Sequence, residues 1–120
     1  MKCGPLIETQ IDWYHTSMPR RYERCETRAC AHIALYGVDG TVSMDALALA
    51  TGRSKDSLDL KAKNIAYNLD KKGYVINYPK LRGRGKGDED RWTDWDIVEE
   101  AARQSKEALR AEVLRLLGVA

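Results

Sequence analysis

The sequence predicts a mainly α-helical fold with a small β-hairpin and an added helix at its C-terminal end. Three observations carry that expectation. Residues 43–73, SMDALALATGRSKDSLDLKAKNIAYNLDKKG, hold two serine-capped apolar periods of helical spacing separated by a glycine. Tyr74 to Tyr78 (YVINY) has the β-branched and aromatic content of a strand, and Arg91 to Trp95 (RWTDW) offers it a partner. From Asp94 or Asp96 to Leu117, apolar residues again recur at helical spacing.

Taken in order, residues 1–19 place Ile7, Ile11, Trp13 and Tyr14 without a clean period. An arm or short helix is expected there, packed on the domain or on a second copy. Pro19 suits the first turn of the helix that follows. From Arg20 to Tyr36, the side chains of Tyr22, Cys25, Ala29, Ile33 and Tyr36 form one apolar stripe. Arg20, Arg24 and Arg28 form a row at i, i+4 and i+8, read as a solvated face paired with Glu23 and Glu26. Gly37-Val38-Asp39-Gly40 is a turn, and Thr41-Val42 is expected to add a very short strand to the hairpin. Ser43 then caps a helix carrying Met44, Leu47, Ala48 and Ala50, which Thr51-Gly52 stops. Ser54 caps the next, with Leu58, Ala62, Ile65 and Leu69 inward, and Lys71-Lys72-Gly73 ends it with cations at the negative end of the helix dipole. In the last helix Asp94, Asp96, Glu99 and Glu100 sit near the positive end. Its stripe of Ala102, Leu109, Val113 and Leu116 suits packing on the first helix or on a twofold partner.

Two short-linked helices around a glycine turn describe a helix-turn-helix, whose second helix can enter the DNA major groove. With the hairpin behind it, the chain resembles the winged helix-turn-helix DNA-binding family. The resemblance rests on LALATGRSKDSL, on LDKKGYV and on the basic Gly-rich stretch LRGRGKGDED, and it covers residues 20–98. It implies an arm at 1–19, a winged helix-turn-helix at 20–98, and at 99–120 a helix that packs on the core or mediates self-association. It further implies a small transcriptional regulator, of the kind found in prokaryotes and phages, that binds double-stranded DNA. The helix between Ser54 and Gly73 is about one turn longer than the family pattern.

Helical periodicity turns Asp56, Ser57, Leu60, Lys63, Asn64, Tyr67 and Lys71 away from the apolar side. Leu60 and Tyr67 are informative, because a purely solvated face has little use for them. In a groove, Leu60 can meet a thymine methyl, Asn64 can pair with adenine, and Lys63 and Lys71 can meet phosphates or guanine. With the helix start and its other cation, the expected DNA contacts are Arg53, Ser54, Lys55, Ser57, Leu60, Lys61, Lys63, Asn64 and Tyr67. Arg82, Arg84 and Lys86, alternating with glycines, add a finger for a minor groove or phosphate row. The alternative is that the same helix binds protein and reads no DNA sequence.

The charge distribution fits the first reading. Residues 20–87 hold fourteen Lys/Arg against seven Asp/Glu, a balance of +7, while residues 1–19 and 88–120 carry −1 and −4 within a chain of net +2. Enzymatic activity is not expected: His15 and His32 sit in no nucleophile or metalloprotease motif, and Glu99-Glu100 and Asp88–Asp90 look like helix-start and solubility charges. A metal site at Cys25, Cys30 and His32 is disfavoured, since the two cysteines point roughly 140° apart on a helix, and no cofactor is expected. Cys3, Cys25 and Cys30 are an odd count without a CxxC pair, read as reduced thiols in a cytoplasmic protein. No apolar run is long enough to span a membrane.

Overall fold

A computed structural model describes residues 21–81 and 94–119. These residues form five helices: α1 (Arg24–Tyr36), α2 (Met44–Thr51), α3 (Lys55–Lys71), α4 (Trp95–Arg103) and α5 (Lys106–Leu117). The central one is α1. Every residue from Glu26 to Leu35 is buried, because α3, α4 and α5 all pack around it. Its sequence permits this: Ala29, Cys30, Ala31 and Ala34 are small, so three helix backbones can approach it closely. The core they enclose is filled by Ile33, Leu47, Leu58, Ile65, Leu69, Val98, Leu109 and Val113.

Burial of α1 changes the role of its arginines. Arg28 lies inside the bundle. Its guanidinium grips Glu112 of α5 at 2.6 and 3.0 Å, Glu100 of α4 at 3.1 Å, and Gln104 in the turn between them. Arg24, at the exposed end, also pairs with Glu100. The expected solvated row paired with Glu23 and Glu26 is therefore not what forms: Arg24 and Arg28 tie α1 to α4 and α5. Arg28 holds the Glu112 carboxyl below the usual carboxylate range.

The α2–α3 unit follows its local signals. Ser43 Oγ accepts the Ala46 N–H and Ser54 Oγ the Ser57 N–H, both at 3.1 Å. Gly52 takes the left-handed conformation (φ 77°) that ends α2. Between α1 and α2 no strand forms at Thr41-Val42. Asp39 organises that turn instead, with Oδ1 accepting the Thr41 and Val42 N–H groups at 2.8 Å and Oδ2 accepting from Arg110 of α5 at 2.9 Å. These hydrogen bonds, the backbone ones first, lower the Asp39 pKa to about 2.

The expected winged helix-turn-helix with its β-hairpin is overturned: among the described residues there is no strand. Residues 74–81 do run extended, and they alternate as a strand would. Tyr74, Ile76 and Tyr78 pack against the core, Val75 and Pro79 face out, and Asn77 turns its amide to the end of α1. Their hydrogen bonds go to helices. The Asn77 N–H donates to Ala34 O at 2.9 Å and its side chain to Leu35 O at 2.7 Å, satisfying carbonyls left open at the end of α1. Leu81 N–H donates to Lys63 O at 3.1 Å, beside the middle of α3. Of the intended partner strand, RWTDW, Asp94 is the N-cap and Trp95 the first residue of α4, and Arg91 to Thr93 lie outside the described residues.

The last expected helix is two. Gln104 and Ser105 are extended, and Ser105 Oγ caps α5 by accepting the Ala108 N–H at 3.1 Å. The stripe offered for self-association is occupied: Leu109 and Val113 are fully in the core, with Ala102 and Leu116 packed against it. Cys30 is a free buried thiol, whereas Cys25 is disulfide-bonded, which corrects the reading of reduced thiols for that residue. Among the described residues no helix is long and apolar enough to cross a membrane.

Gly37 shows how tightly the extended segment is laid down. It has φ 83°, and a Cβ there would meet Asn77 O at 3.2 Å. Gly37→Ala is expected to cost about 1–2 kcal/mol, from left-handed strain and the displaced Asn77. A denaturant midpoint unchanged in that variant would contradict the packing described.

Candidate nucleic-acid interface

Helix α3 exposes one long side because its partners α1 and α2 both pack on the other. Leu58, Ala62, Ile65, Ala66 and Leu69 are buried there. Taking about 100° per residue, Asp56, Leu60, Lys63 and Tyr67 fall within roughly 60° on the outer side, with Asn64, Asp70 and Lys71 flanking them. Leu60 is 57% exposed. The 74–81 segment borders this face along one edge: Tyr78 OH donates to Asp59, Lys80 Nζ meets Asp70 at 2.6 Å, and Leu81 anchors at Lys63. Burial, then the Asp59 hydrogen bond, raises the Tyr78 pKa, while that same hydrogen bond is the main cause lowering Asp59.

The candidate residues divide into two groups. Leu60, Lys63, Asn64 and Tyr67 are on or beside the outer face, while Ser54 and Lys55 are exposed at the N-terminal end of α3. Ser54 is spent as a cap, Lys55 pairs with Asp45 at 2.9 Å and Lys63 with Asp59 at 3.1 Å. The Asp45 hydrogen bond raises the Lys55 pKa. Asn64 lends its backbone carbonyl to Asn68 Nδ2 at 2.9 Å, and the Lys71 ammonium sits 5.6 Å from the Tyr67 ring centre.

Arg53, Ser57 and Lys61 turn the other way, into a cluster around Tyr22. The Arg53 guanidinium lies 3.8 Å over the Tyr22 ring, binds Glu26 at 2.8 Å and donates to Arg21 O at 2.7 Å. Lys61 Nζ lies 4.9 Å from the same ring and pairs with Asp94 at the start of α4. Tyr22 OH and Ser57 Oγ share a hydrogen bond of 2.7 Å. Burial raises the Tyr22 pKa above its ordinary value. The cluster fastens the α2–α3 turn and the first turns of α3 to α1, so these three residues position the outer face and are not part of it. For Arg53 and Lys61 the sequence signal is the same as that of a surface cation, since Glu26, Tyr22 and Asp94 lie far away along the chain.

No family model, curated protein or solved structure matches the chain. The chemistry of the site itself therefore carries its assignment. Arg82, Arg84 and Lys86 lie outside the described residues, directly after Leu81. Among the described residues no group of three or more His, Cys, Asp or Glu side chains is placed to hold a metal ion. A cleft between α1, α4 and α5 is lined by Arg24, Arg28, Arg103, Glu100, Glu112 and Gln104, and its arginines are already bonded to carboxylates around them.

Proposed function

We propose that the chain is a helix-turn-helix protein that binds double-stranded DNA in a sequence-dependent way, with α3 in the major groove, and that it serves as a small transcriptional regulator. The observation carrying this is the outer side of the 17-residue α3, on which no other described helix packs and where Leu60 is exposed and Lys63, Asn64 and Tyr67 are half-exposed. An α-helix fits the major groove, where base edges and thymine methyls are presented. The described chain also returns to α3 at Leu81, whose N–H donates to Lys63 O, and in sequence Arg82, Arg84 and Lys86 follow it. The test is binding to a generic duplex against salt. A log–log slope steeper than about −3 is expected, because each phosphate neutralised contributes roughly −0.9. A slope near zero would remove the proposal.

A second reading, a protein-interaction module, is favoured by a specific feature. Leu49 on α2 is 86% exposed and Leu60 on α3 is exposed too, while Lys55, Lys63 and Lys80 are each matched by a carboxylate. Binding through that surface would be nearly indifferent to salt.

A further inference from the structure

The cleft between α1, α4 and α5 has a volume of about 520 Å³, within the roughly 300–1,000 Å³ of small-molecule sites. Every side chain lining it is charged or an amide, and three of the six are arginines. Arg28 forms its inner part, with a side chain only 8% exposed. A guanidinium carries five N–H donors. Arg28 commits four of them: Nε and one Nη2 hydrogen to Glu112, the other Nη2 hydrogen to Gln104, and one Nη1 hydrogen to Glu100. Arg24 makes a single bond, from Nη2 to the same Glu100 oxygen, and Arg103 a single long one, 3.4 Å to Glu99. Nine of the fifteen donors on these three side chains therefore have no acceptor among the described residues.

Charge leans the same way. Within the lining, three guanidiniums face Glu100 and Glu112, a balance of +1, and Arg115 also acts on Glu112. The Arg103–Glu99 pair is an exposed surface pair, which holds its arginine weakly. Arg24 and Arg103 are 58% and 71% exposed, so both can turn to a ligand without unpacking the bundle. The guanidinium fork matches the paired oxygens of a carboxylate or a phosphate.

We propose that this cleft binds a small multivalent oxyanion, a dicarboxylate or a phosphomonoester, gripped by Arg24 and Arg103 over the free Nη1 hydrogen of Arg28. Glu100, Glu112 and Gln104 hold Arg28 in place for it. The site shares no residue with the outer face of α3, so the inference goes beyond the DNA-binding reading and does not depend on it.

The test is a titration of the labelled protein, followed by amide and arginine Nε–H chemical shifts, at ionic strength held constant with chloride. The probes are succinate, inorganic phosphate and, as a monovalent comparison, acetate. Saturating shifts at Arg24, Arg28, Arg103 and Gln104 are expected, with succinate or phosphate binding at least about tenfold more tightly than acetate, since each further charge-assisted hydrogen bond is worth about that factor. Whichever of the two binds more tightly identifies the ligand as carboxylate or phosphate. Arg24→Ala and Arg103→Ala are each expected to weaken binding about tenfold while leaving the fold intact. Arg28 is kept, because its loss would open the bundle. Shifts that do not saturate with either dianion, or that saturate identically in both variants, would overturn the proposal and leave the cleft a structural clamp. Shifts at these residues with duplex DNA, but with neither dianion, would overturn it in favour of a second nucleic-acid contact.

Discussion

Arg53→Ala is expected to lower folding stability by about 3 kcal/mol, more than the loss of a surface cation allows. The Arg53 and Glu26 side chains are only 9% and 5% exposed, and their 2.8 Å ion pair joins the α2–α3 turn to α1. Removing the guanidinium withdraws the cation facing an interior carboxylate and uncovers the Tyr22 ring it stacks on. The same interaction predicts how the variant fails. The turn between α2 and α3 loosens, so any loss of DNA affinity in Arg53→Ala should disappear when binding is scored per folded molecule, whereas a loss in Lys63→Ala should remain. Chemical denaturation of Arg53→Ala measures the first quantity. A midpoint within experimental error of the wild type would mean that Arg53 is a surface residue after all.

The second large effect is expected on acidification. His32 is fully buried on α1, its two ring nitrogens have no hydrogen-bond partner among the described residues, and its ring meets Tyr36 edge-on at 5.2 Å. Burial is the main cause, followed by the nearby Arg110, that lowers its pKa from 6.5 to about 4, with Lys106 adding to the effect and Asp39 opposing it. The unfolded chain therefore binds a proton between those two values that the folded chain refuses. The resulting contribution to stability is complete above pH 6.5 and is lost as pH falls towards 4. Over that window the loss is on the order of 3 kcal/mol, because each tenfold difference in proton affinity between the folded and unfolded chain is worth about 1.4 kcal/mol. Asp39, held near 2, does not titrate within the window. Melting curves of the wild type and His32→Leu from about pH 7.5 to pH 4 test this. The wild type should lose stability and the variant should lose markedly less, and parallel curves would exclude His32 as the source.

The caps and stops of α2 and α3 were legible because they are local. Ser43, Gly52, Ser54 and Gly73 act within four residues of themselves, so the chain's order alone reveals them. Residues 74–81 show where that legibility ends. Alternation of Tyr74, Ile76 and Tyr78 with Val75 and Asn77 reports an extended backbone with one buried side, but it does not say what covers that side. A helix end at Ala34 and Leu35 took the hydrogen bonds that a second strand was expected to take. The role of Arg28 was equally hidden, since its partner Glu112 lies 84 residues away and an i, i+4 row looks the same whether solvent or α5 covers it. Ser105 was a missed signal, a good N-cap residue inside what read as one helix. At the site, outward positions on α3 followed from periodicity, while the inward turn of Arg53 and Lys61 depended on Tyr22, Glu26 and Asp94, which no spacing rule connects to them.

The outer face of α3 as the DNA-contacting surface is tested most directly by amide chemical shifts of the labelled protein as duplex is added. Perturbations concentrated between Asp56 and Lys71, largest near Asp56, Leu60, Asn64 and Tyr67, with α4 and α5 unmoved, are the predicted result. Shifts confined to α4 and α5, or duplex binding that leaves the α3 amides in place, would contradict it.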